Sequence, residues 1–413
     1  MKNKITLSIV SLILASVMLF SLYSCTAANA ETVDLMDGIT AGTVDGKAAD
    51  DTFKKAHADF SAELFKRSFD GENTLISPLS VMLALGMTAT GAEGNTAAQF
   101  AELFGGIEAD ELNKYLKTYV KSLSSPKINI ANSVWLKELD SFPVKESFLQ
   151  GVADYYAADV FKGISVDAVN KWIEDNTDGM IEKMLETLDP ATVMLLVNTV
   201  LFEAEWEEQY TEHQVRDGEF TTIDGTKKKV DMMSSSEHDY LENDLATGVM
   251  KPYEGGRYAF AALLPKEGTT IDELIQSLDG EMLTETLSNV SNEKVITKIP
   301  QFEYDFGIEM GNILQEMGLR DAFTPGTADF TGISDNAREL LLYIGRVLHK
   351  TRIEVTPNGT KAAAATVVEM NCGSALPIEP PKEVILDRPF VYMIVDTDTN
   401  LPVFIGAVTD IGE

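Results

Sequence analysis

The sequence predicts an α+β fold with large β-sheets, on three observations. Helical periodicity concentrates between residues 52 and 188, long strand-like apolar runs dominate from 193 onward, and no linker after about residue 51 is long or polar enough to divide the chain. No repeat at a fixed period appears. With 413 residues, 45% of them hydrophobic and 24% charged, the chain has enough apolar material for one sizeable core.

The chain opens on a targeting segment. Lys2 and Lys4 give a short positive start, and Ile5 to Phe20 form an apolar stretch too short and wrongly flanked for a membrane span. Two processing sites compete. Leu22-Tyr23-Ser24-Cys25 resembles a bacterial lipobox, which would acylate Cys25, although Tyr23 is bulkier than usual there. Ala28-Asn29-Ala30 resembles an ordinary signal-peptidase site, which would release a soluble protein. The lipobox reading is preferred. Residues 1–24 are therefore expected to be a signal peptide, 25–50 an acidic lipid-anchor tether (Asp34, Asp37, Asp45, Asp50), and 51–413 the folded domain. Either route places the mature protein outside the cytoplasm, secreted or anchored at the cell surface.

Thr52 to Arg67 carries Phe53, Ala56, Phe60, Leu64 and Phe65 on one broad face and reads as a helix. Leu79 to Met87 is a second, buried helix, with Pro78 well placed in its first turn. Thr96 to Phe104, Val169 to Thr177 and Met180 to Leu188 read as further helices. Val193 to Phe202 suits a strand buried on both faces. Phe220 to Val230 reads as a hairpin turning at Asp224-Gly225. Tyr258 to Leu264, Lys294 to Phe302 and Leu341 to Val355 are strand-like, and Phe390 to Val395 and Val403 to Ala407 are two strands joined by the turn Asp396 to Asn400.

Composition excludes several function classes. Lys+Arg number 33 against 65 Asp+Glu, a net charge of −32, whereas a nucleic-acid binder needs a basic footprint. Cys25 and Cys372 are the only cysteines, too few for a disulfide framework. The histidines are His57, His213, His238 and His349, and no HExxH, CxxC, GxSxG or phosphate-loop pattern occurs. Cys372 as a nucleophile beside His349 is the weaker reading. No enzymatic activity, metal or cofactor is expected.

The functional stretch is 359–377, a long connection rich in alanine. Read with the two-residue period of a strand, Thr360, Ala362, Ala364, Thr366, Val368 and Met370 form one small or apolar set. Lys361, Ala363, Ala365, Val367, Glu369 and Asn371 form the other, which carries both charges. Gly359 gives a pivot, and no proline interrupts before Pro377. Such a loop could be exposed in one state and a buried strand in another.

The flanks carry a family resemblance. Leu348 to Val355 followed by Gly359 to Thr366 resembles the hinge of serpins, and Asp387-Arg388-Pro389-Phe390 with the two last strands resembles their C-terminal signature. Ile76-Ser77-Pro78-Leu79-Ser80, Ala131-Asn132-Ser133-Val134-Trp135, Asn170-Lys171-Trp172-Ile173-Glu174, Val197-Asn198-Thr199-Val200-Leu201-Phe202 and Met317-Gly318-Leu319 follow in the family's order. The match spans roughly residues 50–413. It implies three sheets, about nine helices and an exposed reactive-centre loop at about 357–381. A serine protease cleaves that loop, stays bound as an acyl-enzyme, and is trapped when the loop inserts as a new strand of the main sheet. The implied partner is the target protease, the implied state a monomer.

The resemblance also assigns residues. Gly359, Thr360, Lys361, Ala362, Ala363, Ala364, Ala365 and Thr366 match the inserting hinge. Ser77, Ser80, Asn198 and His349 match a polar cluster where strands must part, and Trp206 matches a residue at the point of insertion. Counting from the hinge gives Gly373-Ser374 as the scissile bond. Met370, Cys372 and Leu376 are alternatives, because Gly359 to Pro389 looks longer than in many relatives. No Arg or Lys lies between Ala362 and Leu376, which favours an elastase-like or subtilisin-like target over a trypsin-like one. Pro357-Asn358 stand where many inhibitors have two acidic residues, and Pro357 is expected to slow insertion. The rival reading is a non-inhibitory serpin that binds a partner or ligand.

Overall fold

The computed structural model describes residues 32–123, 127–138, 142–181, 183–360 and 380–412. Nine α-helices lie among them, most in the first half, packed against two large sheets. The first predicted helix spans Asp51–Ser68; the Asp50 carboxylate caps it by accepting from the Phe53 amide, and Phe53, Phe60, Leu64 and Phe65 are buried as expected. The second, Pro78–Ala89, is capped by the Ser77 hydroxyl and is buried at every position, so it has no solvent face.

None of the described residues between Met180 and Leu188 is helical, contrary to expectation. The Asn170 side chain takes over the backbone groups a helix would have satisfied: its Oδ1 accepts from the Met184 and Leu185 amides, and its Nδ2 donates to the Leu185 carbonyl. Ile181 and Leu185 still reach a core, against Trp135, Trp172 and Ile173. The strand expected from Leu341 begins only at Arg346. Leu341 has φ +53° in a turn closed by the Leu342 amide on the Ala337 carbonyl.

The first sheet runs Val33–Asp34, Asp159–Lys162, Ile128–Leu136, Met194–Phe202, Arg346–Thr356, Gly359–Thr360, Ala204–Glu205, with Phe302–Glu309 on the Arg346–Thr356 strand. The second runs Lys382–Ile385, Ser291–Pro300, Lys227–Glu242, Ala246–Pro252, Tyr258–Pro265, Phe390–Asp396, Leu401–Val408, Thr74–Ile76, with Val215–Thr221 on Lys227–Glu242. Three sheets are implied by the resemblance. Here the two smaller ones share the uninterrupted 16-residue strand Lys227–Glu242, whose first part pairs Val215–Thr221 and whose last part pairs Ala246–Pro252. The ladders therefore join into one nine-stranded sheet.

Residues 32–50, read from composition as a tether, lie along the body. Val33 and Asp34 pair antiparallel with Lys162 and Phe161. The Gly42 amide donates to Asp154, and the Lys47 amide to the Lys114 carbonyl. Among the described residues no helix is long and apolar enough to cross a membrane.

Candidate functional site

The Met194–Phe202 strand is buried at all nine positions. It pairs parallel with the Arg346–Thr356 strand only from Leu195–Arg346 to Thr199–Lys350. Beyond that point no ladder pair joins the two strands among the described residues. At the far end Gly359–Thr360 lies between their continuations. It pairs antiparallel with Val355 and Thr356 on one side and with Ala204 and Glu205 on the other. The sheet is thus a fork, zipped at its base and closed at its mouth by two residues of the predicted hinge.

The fork's crotch holds a polar cluster. His349 and Asn198 face each other one step before the last pair of the ladder. The His349 Nε2 accepts from the Ser77 amide at 3.0 Å, so Nδ1 carries the proton and donates to Asn198 Oδ1 at 3.1 Å. Asn198 Nδ2 donates to the Ser80 carbonyl and to Asn132 Oδ1. Both partners are fully used, as burial demands. The ring must stay neutral to accept at Nε2, and burial pushes the His349 pKa down to about 3. Thr351 Oγ1 adds a bond to the Leu75 carbonyl. Among the described residues the buried Ser80 hydroxyl has no hydrogen-bond partner.

The mouth is built on Trp206. Its amide donates to the Asn358 carbonyl and its Nε1 to the Thr356 carbonyl, each at 2.9 Å. Its ring stacks on Tyr253 at 4.5 Å, and the Tyr253 hydroxyl meets Thr360 Oγ1 at 2.6 Å. Lys251, almost wholly buried, pairs with Glu237 at 2.8 Å and lies over the Tyr210 ring, 4.7 Å from its centroid. Burial raises the Tyr253 and Tyr210 pKa values, so both hydroxyls stay protonated.

The structure brings Ser77, Ser80, Asn198 and His349 together at the crotch and puts Trp206, Gly359 and Thr360 at the mouth. Lys361, Ala362, Ala363, Ala364, Ala365 and Thr366 lie outside the described residues, as do Met370, Cys372, Gly373, Ser374, Leu376 and Cys25. The sequence reading missed Asn132, Thr351, Tyr253 and Lys251 as site residues. Asn132 and Thr351 left a signal, polar residues inside strand-like runs. Lys251 and Tyr253 left none, because only the tertiary structure buries them beside Trp206.

The family model for Serpin (serine protease inhibitor) matches residues 55–411. An uncharacterized serpin-like protein of Thermococcus kodakarensis is 30% identical over 84% of this chain and 83% of its own. The crystal structure of the thermophilic serpin tengpin in its native state is 44% identical, covers 92% of this chain and 100% of its own, and superposes with a TM-score of 0.87. The same protein in its latent state gives 0.77 at 41% identity, covering 89% of this chain and all of its own. The forked arrangement thus lies nearer the native conformation of that relative than the latent one. By family match, relatives and fold, this chain belongs to the serpin family, whose members are generally protease inhibitors and not enzymes.

Proposed function

We propose that this protein is an irreversible suicide-substrate inhibitor of serine proteases, exported from the cell and acting as a monomer without cofactor. One observation carries the reading: a main sheet open between two strands, with the first hinge residues already aligned antiparallel to both. A strand continuing from Thr360 would run down the fork toward the His349–Asn198 cluster. The protease serine attacks the carbonyl of the bait residue, the peptide nitrogen leaves as a new amino terminus, and an ester joins the two proteins. Insertion of the freed loop then carries the enzyme away before water hydrolyses the ester.

The driving force is local. Each newly buried Val or Met side chain contributes roughly 1.5–3 kcal/mol, and each added ladder bond about 0.5–1.5 kcal/mol net. Gly373-Ser374 is the proposed scissile bond, and Met370, Cys372 and Leu376 are the competing bait positions. The absence of basic residues there supports an elastase-like or subtilisin-like target. Export rests on the leader, and anchoring on acylation of Cys25.

The test is to mix the purified protein with pancreatic elastase, subtilisin and trypsin. A denaturant-resistant adduct with the first two is expected, and mass spectrometry of the released peptide gives the cut bond. Cleavage by every protease with no adduct would replace the inhibitor reading with that of a non-inhibitory binding protein.

A further inference from the structure

The sequence Thr356-Pro357-Asn358-Gly359 forms a two-residue hairpin turn, with Thr356 opposite Gly359 and Val355 opposite Thr360. Proline stands second and glycine fourth, and Asn358 is not among the residues of positive φ, which together fit a type I turn. Proline fixes its own φ where such a turn needs it and lacks an N–H where the turn asks for none.

The surroundings hold the turn down by its carbonyls. Thr356 gives its carbonyl to the Trp206 indole, Pro357 to the Tyr210 amide, and Asn358 to the Trp206 amide, each at 2.9 Å. The Thr356 hydroxyl donates to the Gly359 carbonyl at 3.0 Å. Gly359 has φ +153°, and a Cβ there would lie 2.1 Å from the Ala204 carbonyl oxygen and 2.7 Å from Glu205 Cα. Only glycine lets the chain pass so close to the opposite strand. Thr360, 2% exposed, is fixed by the Tyr253 hydroxyl.

We infer that Pro357 and Asn358 are positioning residues: their turn seats Gly359 and Thr360 in the sheet of the uncut protein and so starts the inserting strand before any protease arrives. The inference rests on the inhibitor reading for its consequence, though the seating itself does not. It reverses the expectation that Pro357 slows insertion. A zipper whose first two residues are in register has no slow nucleation step left after cleavage, and this favours trapping over release of the cleaved inhibitor.

Two measurements test it. The first uses the uncut protein alone: hydrogen exchange of the Gly359 and Thr360 amides. Protection is expected in the wild type, to fall about tenfold in Pro357→Gly and by less in Pro357→Ala, which keeps a turn-compatible backbone. Tyr253→Phe, which removes the clasp on Thr360 and leaves the turn intact, gives an independent loss. The second counts inhibitor molecules consumed per elastase trapped. That number is expected to rise about twofold or more in Pro357→Gly while the rate of the first cleavage stays unchanged, a split that general destabilisation would not produce. Unprotected amides in the wild type, or equal protection in Pro357→Gly, would overturn the inference. Protection lost in the variant without any protease being trapped by the wild type would leave the seating standing and remove the inhibitor reading.

Discussion

Among the described strands of seven or more residues, four are buried at every position, yet they behave as two regions. Tyr258–Pro265, Phe390–Asp396 and Leu401–Val408 lie side by side in closed ladders, with each of the last two carrying a continuous run of apolar residues. Met194–Phe202 is as buried, but its ladder with Arg346–Thr356 stops halfway and its centre carries Asn198 and Thr199. The closed region gains mainly from dispersion and area, and its directional side-chain bonds, from Tyr258, Tyr392 and Asp396, run to groups outside these three strands. The forked region spends part of its interior on directional bonds. Burial alone therefore does not tell a strand paired along its whole length from one whose ladder stops halfway. What marks the difference is a polar pair meeting across facing strands, His349 on Asn198.

The largest expected effect breaks the fork and spares the closed sheet. Cleavage in the 370–377 region should let the strand complete itself, adding on the order of 10 kcal/mol from roughly a dozen new ladder bonds and buried side chains. At about 2.1 cal/mol/K per residue of unfolding entropy, the melting temperature should rise by about 10–15 °C. Calorimetry of cut and uncut protein measures this, and equal melting would end the idea of a reserved strand site.

A paired substitution sharpens the contrast. Ile405→Ala in the closed sheet should cost about 2–5 kcal/mol in cut and uncut protein alike, since nothing about that ladder changes. Asn198→Ala strips partners from His349, Ser80 and Asn132 and should cost about 2–4 kcal/mol in the uncut form, and a different amount once the strands have parted. Urea unfolding of both variants, before and after cleavage, reads the difference.

The pH dependence separates the fork from the rest more finely. His349 at the fork and His57 in the first helix are both buried and neutral, with pKa values pushed down to about 3 by burial. An unfolded histidine binds its proton near 6.5, so between about pH 6.5 and 3 the unfolded chain holds more protons. Their contribution is fully present above about pH 6.5 and is lost as pH falls, by up to about 1.4 kcal/mol per unit for each ring. His349→Gln should make the fall in stability between pH 6.5 and 5 shallower than in wild type, and urea midpoints at three pH values suffice to see it.

The smallest effect is a control in neither region. Ser165 caps the Val166–Asn176 helix through the Ala168 amide. Ser165→Ala should cost about 1 kcal/mol, a shift of only about 1–2 °C, equal in cut and uncut protein.

Strong local signals were legible in the sequence. Pro78 in the first turn of its helix, the apolar runs of the buried strands and the Asp224-Gly225 hairpin appear where the pattern put them. The helices Ala109–Leu123 and Glu146–Tyr155 went unread, and the helix expected at Met180 to Leu188 was refused by the side chain of Asn170, fourteen residues upstream of Met184. Periodicity sees neighbours along the chain, and that competition came from outside the window.

By itself the sequence determined the class of fold, the buried strands, the order of the family's motifs and the polar identities of Ser77, Asn198, Trp206 and His349. Each of these depends on composition and on contacts a few residues apart. Only the tertiary structure decided that the main ladder stops at Thr199 and Lys350, that Lys251 and Tyr253 are buried beside Trp206, and that Thr360 is buried at the mouth against Tyr253. Those outcomes depend on which groups meet across separations of tens to more than a hundred residues. No local preference encodes that choice, which is settled by the free energy of the whole packed chain.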